Sequence, residues 1–208
     1  MTFPIKPKLV RGGIALVDID TSSVIRVAAL QYNPDTLSRT LQVQGAGGES
    51  PDHLEALRLK APPIETIKLD AEFDATDDTN PNTDVYAQLA ALESIVYPST
   101  SDVLLNLAYA NQGQLEILPV AAPLQVFVWS KQRVLPVRIT DFSITEDAFA
   151  PDLTPLRAKV SLTMRVLTVY DLGFDNKGGS LFLGYQLQKE LAGIIGSTSL
   201  QAIGQTLP

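Results

Sequence analysis

Between Ile14 and Val166 the chain alternates apolar and polar residues at period two, the pattern of strands with one face in a core and the other in water. Ile67, Leu69, Ala71 and Phe73 interleave with Thr66, Lys68, Asp70, Glu72 and Asp74, which predicts a half-buried strand over 64–74. Leu156, Ala158, Val160, Leu162, Met164 and Val166 oppose Arg157, Lys159, Ser161, Thr163 and Arg165 in the same way. Continued to Tyr170, that second ribbon would reach on the order of 50 Å at ~3.3 Å per residue, longer than an ordinary small sandwich uses. Earlier, 14–20 and 24–32 read as a hairpin around Asp20-Thr21-Ser22-Ser23, and Asn33-Pro34-Asp35 breaks its second strand. A third strand holds Leu37, Leu41 and Val43 and ends at the glycines of 45–48. Strands are also expected over 115–120 and over 124–130, the latter apolar on both faces. In 134–146 the apolar parity switches near Thr140-Asp141, as a bulge would make it do.

Two segments carry helical spacing instead. Val85, Leu89, Leu92 and Val96 form a stripe that Asn82 or Thr83 can cap and Pro98 stops, and a loop rich in Ser, Thr and Asn follows. After Asp171 the chain passes through Gly173, Gly178 and Gly179 and regains a helical stripe over 180–195, with Leu187, Leu191 and Ile194 on one face. An isolated helix of that length is marginal in water, so its stripe requires a surface to cover, on its own sheet or on a neighbouring chain. The class is therefore mainly β (α+β), with a β domain over 1–172 and a loop-and-helix extension over 173–208.

The polar faces of the two long ribbons carry opposite charge: Asp70, Glu72 and Asp74 on one, Arg157, Lys159 and Arg165 on the other. Adjacent in one sheet, they would fix register by cross-strand pairing at a few tenths of a kcal/mol per pair. Over the whole chain, 16 Lys and Arg stand against 23 Asp and Glu, a net charge of -7 that argues against a nucleic-acid partner. With no cysteine and a single histidine, His53, neither thiol chemistry nor a multi-histidine metal site can be built, and no cofactor is expected. His53 lies in a polar stretch without a G-x-S-x-G turn and reads as a solvated residue. The acids at 70–78 lack the alternation and central glycine of a calcium loop. The amino terminus lacks a secretory signal and no run approaches the ~20 apolar residues of a membrane span, so direct membrane insertion is not expected.

Several longer motifs recur in order: Leu30-Gln31-Tyr32-Asn33-Pro34-Asp35-Thr36-Leu37, Ala61-Pro62-Pro63 through Leu69, Phe127-Val128-Trp129, Arg133 through Thr140, Phe142 through Glu146, and Pro155 through Leu162. Together they resemble the tube-initiator, or baseplate adaptor, proteins of contractile injection systems, over roughly residues 24 to 172. The resemblance implies a phage tail-tube-like fold, a β-barrel or two-sheet sandwich with a flanking helix. It also implies a structural, non-catalytic adaptor: a homo-oligomeric hexameric ring that joins the spike hub to the inner tube proteins and other baseplate subunits. Such a particle is assembled in the bacterial cytoplasm and then released or anchored to a membrane. The LysM domain that many relatives append is not legible after Asp171.

Two readings from other classes compete with this one. A hydrolase would need paired carboxylates in a cleft, for which Asp70, Glu72, Asp74 and Asp77 are the candidates. A carbohydrate-binding β-sandwich would need Trp129 and tyrosines exposed in a groove, whereas Trp129 reads as a packing residue. For the ring, the contact residues expected are Tyr32, Asn33 and Pro34 at a strand connection, Arg133 and Arg138 flanking a buried strand, and the charged ribbon faces Asp70, Glu72, Asp74, Arg157, Lys159 and Arg165. Leu187 and Leu191 of the terminal helix complete the set.

Overall fold

The computed structural model describes residues 10–45, 58–76, 84–111 and 122–197. His53, Asp77, the cap candidates Asn82 and Thr83, and the strand expected over 115–120 lie outside the described residues. Seven antiparallel strands among the described residues form one sheet: β1 (Gly13–Val17), β2 (Val24–Ala29), β3 (Leu37–Gly45), β4 (Leu59–Asp74), β5 (Leu124–Ser130), β6 (Arg133–Phe149) and β7 (Pro155–Val166). Their order is β2-β1-β5-β6-β7-β4-β3. No ladder joins β2 to β3 among the described residues, so the mainly β class is observed with an open sheet rather than a closed barrel.

Among the described residues four helices accompany the sheet: α1 (Val85–Glu93), α2 (Thr100–Asn111), α3 (Val169–Leu172) and α4 (Lys177–Gly196). The oxygen of Asp84 caps α1 by accepting from the Tyr86 N–H at 3.0 Å. Val85, Leu89 and Leu92 bury the α1 stripe, and Ile95 rather than Val96 continues it into the core, because the chain leaves the helix at Ser94. The Ser/Thr/Asn-rich loop expected after Pro98 is instead helix α2, none of whose residues is buried. The ribbon expected to run to Tyr170 ends at Val166: Thr168 and Asp171 form a capping box that turns the chain into α3.

The long strands arise where alternation is unbroken. On β4 and β7, Ile67, Leu69, Ala71, Phe73, Ala158, Val160, Leu162 and Met164 are all buried, while the intervening polar residues stay on the opposite face. In β4 the tandem Pro62-Pro63 lacks ladder donors, and the β3–β4 register shifts at that point. The parity switch in β6 coincides with the register irregularity between Ile139 and Asp141, as expected from the sequence. A second, smaller apolar cluster of Ala15, Val17, Leu124 and Val126 packs with Leu172 and Leu181, so β1 is buried along its whole length.

The sheet is staggered. β5 pairs with β6 only from Arg133 to Val137, whereas β7 pairs with β6 out to Phe149. Beyond Val137, no strand among the described residues pairs with β6 on the side facing β5. Gln125 closes the β5–β6 ladder at the start of β5: its Oε1 accepts from the Ile139 N–H at 2.9 Å and its Nε2 donates to the Ile95 carbonyl at 3.2 Å.

Candidate subunit interface

The distal half of β6 together with β7, β4 and β3 makes a four-stranded half-sheet with a polar face and a buried face. Cross-strand pairing on the polar face follows the charge pattern read from the sequence. Glu72 stands opposite Lys159 and Asp74 opposite Arg157, with ion pairs of 3.5 Å and 3.0 Å. Asp70 stands opposite Ser161, which in turn faces Ser143 of β6. The Thr76 hydroxyl and N–H, more than Arg157, hold the Asp74 carboxyl below the usual carboxylate range. These carboxylates are spread along an exposed face and two of them are met by cations, so the arrangement is that of a register device rather than an acid–base pair in a cleft.

Arg165 leaves this pattern and reaches Asp171 of α3 at 3.0 Å, lying opposite Thr66 on one side and Arg138 on the other. Arg138 is exposed, and Arg133 sits at the tight β5–β6 turn opposite Ser130. Asn33 fastens the chain ahead of β1: its Oδ1 accepts from the Gly12 N–H at 3.0 Å and its Nδ2 donates to the Val10 carbonyl at 2.9 Å. Its neighbours Tyr32 and Pro34 complete the β2–β3 connection, Tyr32 exposed and Pro34 half-buried. Trp129 stacks on Phe127 with ring centroids 5.8 Å apart and packs against the main core, the packing role expected of it. Leu187 and Leu191 are exposed on α4, which is held to the body through Phe182 and Tyr185 instead.

Two features escaped the sequence reading. Gln31, buried, grips β4 with both ends of its amide, donating to the Asp74 carbonyl at 2.7 Å and accepting from the Asp74 N–H at 2.8 Å. Glu65, also buried, accepts from Arg39 of β3 at 2.6 Å, from Lys189 of α4 at 3.3 Å and from the Tyr185 hydroxyl at 3.2 Å. Its parity in β4 matches that of Ile67 and Leu69, a signal in the sequence that marked it as inward-facing.

Comparison with known families supplies the deciding observation: the model of the contractile injection system tube proteins matches residues 17–169. The chain belongs to that family. It is a structural tube component of a contractile injection system particle. The matched span takes in β2 to β7 and ends within α3, so α4 lies beyond it. Among curated proteins, no relative matches the chain. Among the described residues of this tube-family chain, no helix is long and apolar enough to cross a membrane, and no group of three or more acidic or histidine side chains could hold a metal ion.

Proposed function

We propose that copies of this tube-family chain close head to tail into a hexameric ring and that the ring joins the spike hub of the baseplate to the inner tube. The observation that carries this reading is the pair of unlike edges on one half-sheet left open among the described residues, β3 at one end and the distal half of β6 at the other. An open edge presents unpaired N–H and C=O groups that another strand completes. Unlike edges at opposite ends cannot satisfy each other by two-fold pairing, whereas a heterologous contact repeated around an axis satisfies every copy. The polar face of the half-sheet then lines the central channel, and the buried face carries α1. The particle is assembled in the cytoplasm and afterwards released or membrane-anchored.

Electron microscopy and native mass measurement of the purified chain test the ring: closed six-membered rings are expected, and a chain that stays monomeric at high concentration overturns the proposal. Leu41→Lys with Val43→Lys places charge on β3 at positions 49% and 69% exposed, so the variant keeps the melting temperature and loses the rings. Co-purification addresses the adaptor role. Recovery with hub and tube proteins at one ring per particle is expected, whereas a chain distributed along the whole tube leaves the ring intact and removes the adaptor assignment.

A further inference from the structure

Two helices of this chain expose apolar faces that no described residue of their own copy covers. α2 spans 12 residues without one buried side chain, and Val103, Leu104 and Leu107 share one of its sides at 42%, 60% and 56% exposure. On α4, Phe182 and Tyr185 face the body, while Leu183, Leu187, Leu191 and Ile194 form a stripe on the far side, and every residue from 186 to 196 is exposed. A helix as short as α2 is marginal alone in water. The α2 face is uncharged, Asp102 being the one ionised side chain of that helix, and Glu190 borders the α4 stripe. The α4 stripe from 183 to 194 is about 18 Å long at ~1.5 Å per residue, the length of the whole α2 helix, whose three named side chains span about 7 Å.

Their places in the fold are complementary. α2 begins shortly after Tyr97, which with Val96, Ile139, Phe142 and Ile144 lines a groove beside the open edge of β6. The projecting part of α4 is tied by Lys189 and Tyr185 to Glu65 of β4, one strand in from the open edge of β3. When β3 of one copy meets the distal β6 of the next in the proposed ring, the α4 stripe of the first is brought toward the β6 groove from which α2 of the second starts.

We infer that α4 of each copy packs its outward leucines against α2 of the next copy, a helix clasp across the subunit boundary that rests on the ring proposed above. The seven apolar side chains named above, each giving up on the order of 100 Å², contribute roughly 700 Å². That is less than the ~1,200 Å² of a stand-alone specific interface, so the clasp completes the strand pairing instead of replacing it. Gly184 borders the stripe, and a Cβ there would meet nothing within 4 Å, which leaves room for close approach of a second helix.

Because the chain has no cysteine, Leu107→Cys and Leu187→Cys can be introduced in separate preparations, mixed, assembled and oxidised. The expected product is a disulfide dimer between the two variants, and the double variant gives a ladder ending at the closed ring. Rings that form without that cross-link, dimers of either single variant alone, or an intramolecular disulfide in the double variant each overturn the clasp and leave the ring standing. A chain that forms no ring removes both. As a second readout, Leu187→Asp with Leu191→Asp raises the concentration at which rings dissociate at least tenfold and leaves the monomer's melting temperature unchanged; rings of unaltered affinity overturn the clasp.

Discussion

Glu65 is the most consequential side chain that single-residue chemistry alone would have placed at the surface. A carboxylate with 5% side-chain exposure survives in the core because Arg39, Lys189 and the Tyr185 hydroxyl meet it from two other elements. Glu65→Gln strips the countercharge from both cations, and the expected loss is about 3 kcal/mol in a denaturant titration. Lys189→Met costs under about 1 kcal/mol, because that ammonium is 44% exposed and regains water. Asp74 offers a pH handle. Its folded-state pKa lies below the ordinary value of 3.8, so its contribution to stability is present above that value and is lost as pH falls through the folded pKa. Thr76→Val removes the hydroxyl donor, and a carboxyl NMR titration should show the Asp74 midpoint moving up toward 3.8.

At the scale of elements, α4 contains glycines of two kinds. A Cβ on Gly179 would sit 2.1 Å from the Gly173 carbonyl oxygen, whereas Cβ atoms on Gly184 and Gly193 meet nothing. Gly179→Ala is therefore expected to destabilise by about 2 kcal/mol through overpacking against backbone that cannot yield. Gly193→Ala should instead stabilise by up to about 1 kcal/mol and raise the helical circular dichroism signal. Strands were legible wherever alternation was long and strict: β4, β7 and the bulge of β6 all lie where the parity of residues placed them. α2 was not legible, since Ser99, Thr100, Ser101, Asn106 and Asn111 have the composition of a loop and the helix has no buried stripe for a pattern to reveal. Nor was the point at which β7 gives way to α3, because the capping box of Thr168 and Asp171 competes with an apolar run that could equally have stayed extended.

For the molecule as a whole, the β1–β2 hairpin could be read but the order of the remaining strands and the closure of the sheet could not. The opposite charges of β4 and β7 were compatible with an adjacency that the structure shows, while the end of the β5–β6 ladder at Gln125 depends on where the chain turns in space and leaves no trace in periodicity. That stagger has a measurable signature. In the isolated chain, the amides of 133–137 that point to β5 and those of 137–149 that point to β7 are paired and exchange slowly with solvent, whereas those of 140–147 that point away from β7 exchange fast. On ring formation the fast set should become protected, and an exchange map that does not change between monomer and ring would show that another surface holds the copies together.

The alternation of Glu72 with Lys159 and of Asp74 with Arg157 sets opposite signs side by side, at the ~5 Å spacing of adjacent strands. Fields from such neighbours cancel within about one Debye length, ~8 Å at physiological salt. If this face walls the channel of the proposed ring, these two pairs exert no long-range pull on a passing acidic or basic cargo, and Asp70, which stands opposite Ser161, is the position on β4 where the wall keeps a sign of its own.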